Sequence, residues 1–269
     1  MAGMAIIIDG ANFAATGWTA SGADPVADFI TGASQAFLFD PSVMSSMWQD
    51  RAMTTPVTAS GQPVRAMSDR SGKGQHAILD AAATGTPTWQ SSGGRYWVDI
   101  PTGADFQVSN PLTGAMSWSA IIAARITGGT SATERCLFCQ LGASASSYLA
   151  LQAGQRSGLQ GVNLTSAAGY ELTGAAIADG TDYVLGFRRD NSTLTAALRK
   201  DGVAGASVSF VAPSMASQPT TLIFGTGASN AVTQTTAGRL YYAVFVQAAK
   251  TDSDFAAIEA VIKAKAGVA

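Results

Sequence analysis

The chain has 269 residues, of which 47% are apolar and 13% charged, and its formal net charge is −2. The apolar share is sufficient for a sizeable core, and the length suits one all-β domain with an appendage. Because the charge is nearly balanced and no dense basic run occurs, we expect neither nucleic acid nor a membrane as a partner.

The N-terminal segment, residues 1–36, differs from the rest in having no basic residue and several glycines between small apolar clusters. Those clusters are Ile6, Ile7 and Ile8, followed by Phe13 and Trp18. An unbroken β-branched run suits a strand buried on both faces, and large aromatic side chains suit anchors in partner pockets. The segment is predicted to be either an assembly arm or an edge segment of the same domain, since a disordered tail would be poorer in such residues.

Targeting signals are not evident in this region. The first Lys or Arg is Arg51, so the basic start of a secretory signal is missing, and no apolar run reaches the roughly 18 residues of a membrane helix. We expect synthesis in a cytoplasm.

A short helix is predicted in "PSVMSSMWQD", residues 41–50, where Val43, Met47 and Trp48 fall on one stripe. Its expected role is to cover a sheet edge.

The stretch "RSGKGQHAIL", residues 70–79, contains the single histidine of the chain, His76, and a lysine between two glycines. A phosphate-binding loop needs a glycine five positions before Gly72, where Met67 stands, and a Ser or Thr after Lys73, where a glycine follows. The favoured interpretation is a compact turn made by Asp69, Ser71, Gly72 and Gly74, which His76 closes with a hydrogen bond.

From residue 117 onward, short runs of alternating hydrophobicity end in Gly, Ser, Asn or Asp, which predicts a series of antiparallel strands. In "DYVLGFRRDNSTLTAALRKDG" a hairpin is expected, with Asp190 and Asn191 in the left-handed conformation and a second turn at "KDG". Cys136 and Cys139 lie in one such run and are expected as half-buried strand thiols that do not pair, because residues three apart in a strand point to opposite faces.

One clear helix is predicted at the C-terminal end, in "TDSDFAAIEAVIKAKAG". Phe255, Ile258, Val261 and Ile262 have helical spacing, the acidic residues come first and the lysines last, and Gly267 follows as a stop signal.

The order of these elements resembles the laminin-G-like branch of the concanavalin A-like lectin and glucanase superfamily, from "SWSAIIAARI" through "DYVLGFRRDNSTLTAALRKDGV" to "GRLYYAVFVQAAKTDSDFAAIEAVI". The upstream "FLFDPSVMSSMWQD" to "TGTPTW" is similar to a leader attached to such domains in bacteriophage virion proteins. The resemblance implies a concanavalin A-like antiparallel β-sandwich, or jelly roll, with a short C-terminal helix, over residues 37–269 with the leader in residues 37–100. The Trp-His pair that the family often has after "DG" is replaced here by "DGTDYVLGF".

The resemblance further implies a non-catalytic structural protein of a virion, either a capsid decoration protein or one attached to the head or tail. Its partners would be other virion proteins and copies of itself, and its location the virion after synthesis in the host cytoplasm. No calcium site or other metal or cofactor site is carried over, because no acidic cluster matches one by position.

Glycoside hydrolysis is not expected, because retaining enzymes on this scaffold place two carboxylates on one face of a strand. Each of the three glutamates, Glu134, Glu171 and Glu259, lacks an acidic residue two or four positions away. The protein is predicted not to be an enzyme.

The alternative function is a carbohydrate-binding module or adhesin that recognises host surface glycans. Five aromatics are candidates for stacking on sugar rings and equally for packing in the core. They are Trp89, Tyr96, Trp97, Tyr148 and Tyr170.

Overall fold

The computed structural model describes residues 24–109, 117–127, 135–141, 148–156, 159–166, 171–173, 177–209, 221–224, 226–229, 232–235 and 237–268. Within these ranges the chain forms nineteen β-strands, two α-helices and one 3-10 turn. For the strands between residues 128 and 176 and between 210 and 236, the structure describes the backbone alone.

The helices are α1, Pro25–Ile30, and α2, Asp252–Ala266, and the 3-10 turn is Met44–Ser46. The first strands are β1 Ala36–Phe39, β2 Met47–Trp48, β3 Ala66–Met67, β4 Ala77–Leu79, β5 Thr88–Ser92, β6 Arg95–Ile100, β7 Phe106–Ser109, β8 Trp118–Thr127, β9 Arg135–Leu141 and β10 Tyr148–Arg156. The others are β11 Leu159–Ser166, β12 Glu171–Thr173, β13 Asp182–Asp190, β14 Thr195–Lys200, β15 Val203–Ser209, β16 Thr221–Phe224, β17 Thr226–Ser229, β18 Val232–Thr235 and β19 Ala237–Val246.

Two sheets form the body of the molecule. The helix-bearing sheet has the strand order β15, β14, β13, β8, β19, β6, β5, and β1 also pairs with β19. The opposite sheet has the order β12, β11, β10, β9, β16, β7, β4, β3, β2, while β17 and β18 pair by themselves. All these pairings are antiparallel, so the described chain is an antiparallel β-sandwich, as predicted.

The core between the sheets follows from the two-residue period of the strands. In β8, Trp118, Ala120 and Ile122 face the opposite sheet, whereas Ile121 and Ala123, at the alternate positions, face the helices. Both faces of β8 are therefore buried over most of its length, and its sequence is apolar apart from Ser119, Arg125 and Thr127.

The outer face of the helix-bearing sheet is covered by the two helices. Thr251 caps α2 in a capping box with Asp254, and Gly267 ends the helix in the left-handed conformation with φ 68°. Phe255 of α2 meets Phe29 of α1 edge to face, with ring centroids 5.4 Å apart. The predicted C-terminal helix is confirmed, with Phe255, Ile258 and Ile262 buried and Val261 half-buried.

The prediction of a helix in residues 41–50 is wrong, because the chain forms only one 3-10 turn there. Met47 begins β2, where it pairs with Met67, and its carbonyl accepts a hydrogen bond from Val57. Pairing with β3 therefore overrides the helical spacing, and β2 forms the edge of the opposite sheet.

The hairpin between β13 and β14 is confirmed, but its left-handed residue is Leu194, with φ 53°, instead of Asp190 or Asn191. The carboxylate of Asp190 accepts hydrogen bonds from the backbone and side chain of Ser192, which starts the turn earlier and leaves its last residue in the left-handed position. The next turn is placed at Asp201 and Gly202, as predicted.

Residues 1–23, which include the predicted arm residues Ile6, Ile7, Ile8, Phe13 and Trp18, lie outside the described residues. The described remainder of that segment packs on the sandwich through α1 and through the start of β1 at Ala36. Cys136 and Cys139 lie in β9, which confirms a strand there, while their side chains are outside the description. No helix in the described ranges is long and apolar enough to cross a membrane.

Candidate functional site

The loop around His76 is a turn held by one carboxylate. The side chain of Asp69 accepts hydrogen bonds from the backbone of Leu38 at 2.9 Å, Ser71 at 2.8 Å and Gln75 at 2.9 Å. The Nδ1 atom of His76 accepts a hydrogen bond from the backbone of Asp69 at 3.1 Å. The turn interpretation is confirmed, and Asp69 is occupied in holding backbone rather than orienting a catalytic histidine.

The predicted sugar-stacking aromatics are mostly packed. Trp89 is 4% exposed and donates its indole hydrogen to the carbonyl of Pro41 at 2.8 Å, and half-buried Tyr96 stacks against it. Trp97 is 9% exposed. The burial of Trp89 and Trp97 favours the packing role over the stacking role. The side chain of Tyr148, and Tyr170 altogether, lie outside the described residues.

A different set of residues comes together at one end of the helix-bearing sheet. Five adjacent strands, from β13 to β5, place five residues directly opposite one another in a row across the sheet. In strand order the row is Asp182, Arg125, Arg239, Asp99 and Thr88. The neighbours of these residues along each strand are buried between the sheets, so the row lies on the outer face.

Asp182 is the most connected member of the row. Its carboxylate accepts two hydrogen bonds from Arg125, at 2.7 and 2.9 Å, one from Arg95 at 2.6 Å and one from the hydroxyl of Tyr241 at 2.7 Å. Partial burial by itself would raise the pKa of Asp182, but the hydrogen bonds from Arg125, Arg95 and Tyr241 lower it to about 2. The carboxylate is therefore charged at neutral pH.

The same contacts act on the partners of Asp182. The hydrogen bond to Asp182 raises the pKa of Arg125 above its ordinary value. Burial raises the pKa of Tyr241, and its hydrogen bond to Asp182 adds to that effect. Arg95 also lies over the ring of Tyr241, 5.0 Å from the centroid. These contacts join the four residues into one unit across β6, β8, β13 and β19.

Arg239 is held in a second, looser unit. Its Nε atom lies 3.3 Å from the carboxylate of Asp99, and its guanidinium lies over the ring of Trp97, 4.6 Å from the centroid. The indole nitrogen of Trp97 donates to Asp99 at 3.0 Å. The stacked arginine covers the outer face of Trp97, so this ring supports a charged group instead of a sugar.

Residues of both units line a cleft of about 440 Å³, which we call the guanidinium cleft. Its polar lining consists of Thr86, Thr88, Asp99, Arg125, Thr127 and Arg239. Gly238, which also lines the cleft, must be a glycine, because an added Cβ would lie 2.0 Å from the carbonyl oxygen of Arg125. The cleft thus depends on a close approach of β8 and β19 at this end of the sheet.

None of these charged residues was predicted as a site residue from the sequence. The usable signal was a polar position inside an apolar strand, such as Arg125 near the end of β8 and Arg239 at the start of β19. In the described part of the chain, no group of three or more His, Cys, Asp or Glu is placed to hold a metal ion.

No protein-family model and no curated protein matches the sequence. Solved structures do match in fold. Domain 4 of AbnA, a GH43 extracellular arabinanase from Geobacillus stearothermophilus in complex with arabinotriose, has a TM-score of 0.56 and 15% identity, over 70% of this chain and 90% of that one. The CBM40 of the Ruminococcus gnavus IT-sialidase, bound to alpha2,3 sialyllactose, has a TM-score of 0.50 and 12% identity, over 61% of this chain and 96% of that one.

The botulinum neurotoxin serotype D ligand binding domain, in complex with N-acetylneuraminic acid, has a TM-score of 0.54 and 10% identity. It is matched over 88% of this chain and 53% of that one. At such identities the likeness concerns the fold, which is a β-sandwich shared with sugar-binding domains.

Proposed function

We propose that this protein is a glycan-binding β-sandwich module and that the guanidinium cleft holds the sugar. The observation that carries the proposal is the row of polar side chains across the sheet, four of whose five members, on β8, β19, β6 and β5, line a cleft of about 440 Å³. That volume lies within the roughly 300–1,000 Å³ of small-molecule sites.

The chemistry of the cleft suits sugar hydroxyl groups. The arginines donate, Asp99 accepts, and the hydroxyl groups of Thr88 and Thr127 do both. Because Arg125 and Arg239 are already fixed by carboxylates and a ring, little side-chain entropy is lost when a sugar binds. Recognition would therefore depend on hydrogen bonds from a preorganised lining.

The similar structures support this function through what they contain. Their bound molecules are arabinotriose, alpha2,3 sialyllactose and N-acetylneuraminic acid, which are all sugars. A shared fold does not by itself imply a shared function, so the main support for glycan binding is the cleft.

Binding without cleavage is the expected activity. A glycosidase needs a carboxylic acid that is protonated near neutral pH, usually through a raised pKa. In this cluster the pKa of Asp182 is lowered to about 2, and its oxygens are engaged by Arg125, Arg95 and Tyr241. We expect a bound oligosaccharide to stay intact, as mass spectrometry after long incubation would show.

A glycan array followed by titration calorimetry tests the proposal. Removing the hydroxyl groups of Thr88 and Thr127 together, as Thr88→Val with Thr127→Val, should weaken binding of the best glycan about tenfold. Thr193→Val is the matched control, since Thr193 is exposed in the turn between β13 and β14 at the opposite end of the sheet. An unchanged affinity in the double variant, or no glycan bound on the array, would contradict the proposal.

A structural role in a bacteriophage virion stays a prediction beside glycan binding. Residues 37–100, which resemble the virion leader, supply strands to both sheets of the sandwich, from β1 to β6. The leader is thus part of the same body as the cleft. Attachment of the protein to purified virions would test this role independently.

A further inference from the structure

The guanidinium cleft and its supporting residues contain more positive than negative charge. The three guanidinium groups of Arg95, Arg125 and Arg239 are paired with two carboxylates, those of Asp99 and Asp182, which leaves one net positive charge. The protein as a whole has a net charge of −2, so this local excess is opposite in sign to the molecule.

The positive charges meet at the centre of the row. Arg125 and Arg239 stand directly opposite each other on neighbouring antiparallel strands, while Asp182 and Asp99 lie on the two outer sides. Like charges in directly opposed positions destabilise a sheet. An anion between the two arginines would remove this repulsion.

Both arginines reach the cleft. The side chain of Arg125 is 28% exposed and that of Arg239 is 32% exposed, and both line it. Arg125 is bound by Asp182 through two nitrogens, whereas Arg239 has Asp99 as its one carboxylate partner among the described residues, through Nε at 3.3 Å. Of these two arginines, Arg239 thus has the fewer and longer contacts to a carboxylate.

We propose that the glycan bound in the cleft carries a carboxylate, which lies between Arg125 and Arg239. This inference rests on the proposed function and adds the chemical class of the sugar. The planar fork of a guanidinium matches the two oxygens of a carboxylate, which makes such pairs stronger and more specific than contacts to a hydroxyl group.

Matched pairs of probes separate charge from sugar shape. The probes are alpha2,3 sialyllactose and tetragalacturonate, each measured beside its own methyl ester by calorimetry and on an array that also holds neutral and sulfated glycans. We expect at least one acid to bind at least about tenfold more tightly than its ester. Binding of the acid should weaken in high salt, and binding of the ester should not.

Arg239 is the residue to change. Arg239→Gln keeps a polar side chain of similar length but should reduce the preference for the acid over the ester at least about tenfold, while Arg239→Lys should restore part of it. Arg51→Gln is the matched control, because it removes the same charge from an exposed loop residue outside the cleft.

The outcomes distinguish the two levels of the hypothesis. Three outcomes would contradict the proposal that the glycan carries a carboxylate, while leaving glycan binding itself supported. They are equal binding of acid and ester, binding of neutral glycans alone, and binding of sulfated glycans alone. If no glycan of any kind binds, the proposed function fails and the inference falls with it. A preference for the acid that persists in Arg239→Gln would show that the carboxylate does not lie at this arginine.

Discussion

A single carboxylate organises the functional end of the sheet. Asp182 receives hydrogen bonds from side chains of three other strands, through Arg95 of β6, Arg125 of β8 and Tyr241 of β19. Its side chain is 11% exposed, so these bonds are partly shielded from water and stronger than surface pairs. The position of Arg125 in the cleft is thus set by a residue that does not line it.

Replacing Asp182 should therefore make the free energy of unfolding vary less with pH in the acidic range. Because the folded-state pKa of Asp182 is lowered to about 2, its contribution to stability is present above about pH 4 and is lost as the pH falls toward 2. We expect Asp182→Asn to lower the free energy of unfolding by about 1–2 kcal/mol at neutral pH, with allowance for partial solvent exposure. The difference from the natural protein should shrink toward pH 2.

Urea unfolding at several pH values measures this effect. Asp28→Asn, at an exposed carboxylate in α1, is the control and should change stability little. A deficit of Asp182→Asn that stays constant down to about pH 2 would mean that the charge of Asp182 does not stabilise the fold.

The turn around His76 offers a second test at the level of residues. Asp69→Ala should cost about 2–4 kcal/mol, because it leaves the backbone N–H groups of Leu38, Ser71 and Gln75 without their acceptor. His76→Ala removes one acceptor and should cost about 1 kcal/mol. Neither change should alter glycan affinity once the protein is folded, and a loss of binding in folded His76→Ala would give the histidine a functional role.

At the level of elements, the two-residue period identified most of the strands from residue 117 onward, and the helical spacing before Gly267 identified α2, because both signals are local in the sequence. The cleft could not be predicted in this way. Its row joins residues from four distant parts of the chain, and the pairing of β8 with β19 includes a register shift between Leu240 and Tyr242. Residue type alone left Trp89 and Trp97 open between sugar stacking and core packing, and their burial in the structure favours packing.

The docking of α2 on the sheet is held by a buried ion pair. Arg199 of β14, 7% exposed, bonds through two nitrogens to Glu259 of α2, which is 1% exposed. Gly186 of β13 leaves the space for this contact, because a Cβ there would lie 2.9 Å from the carboxylate of Glu259. The helix therefore packs on the sheet through the ion pair between Arg199 and Glu259, and the lack of a side chain at Gly186 makes room for it.

Removing one partner of this ion pair should lower the free energy of unfolding more than replacing both partners together. Glu259→Leu or Arg199→Met alone should lower stability by about 3–5 kcal/mol, since each leaves a buried charge without its partner. The double variant should recover most of the loss, because two apolar side chains of similar volume need no compensation. Asp252→Asn is the control and should cost less than about 1 kcal/mol, since Asp252 touches Arg199 from the exposed side. If the double variant instead lost as much stability as the two single variants together, the two side chains would not be coupled as proposed.

For the whole molecule, the length of α2 decides which part of the outer face stays open. The helix ends at Gly267, where an added Cβ would lie 2.9 Å from the Nε atom of Arg95, so the helix end meets the Asp182 unit directly. Beyond this point, no described helix covers the sheet, and the row from Asp182 to Thr88 faces outward. The same element that buries the apolar outer face thus borders the cleft.

The N-terminal segment can be divided by two truncations, because its described part is built into the body. Phe29 is 1% exposed and packs on Phe255, so a chain that starts at residue 34 should lose about 3–5 kcal/mol, as should Phe29→Ala in the full chain. A chain that starts at residue 24 keeps Asp24, which caps α1 through the backbone of Val26, and tests residues 1–23 alone.

If residues 1–23 are an assembly arm, the chain from residue 24 should keep its melting temperature and lose self-association or attachment to a particle. Five apolar residues would then serve the interface, where large side chains contribute most of the binding energy. They are Ile6, Ile7, Ile8, Phe13 and Trp18. Calorimetry and analytical ultracentrifugation of the two truncated chains decide the question together. If the chain from residue 24 loses as much stability as the chain from residue 34, the segment is an integral edge strand and the arm is excluded, since removing an arm exposes no core.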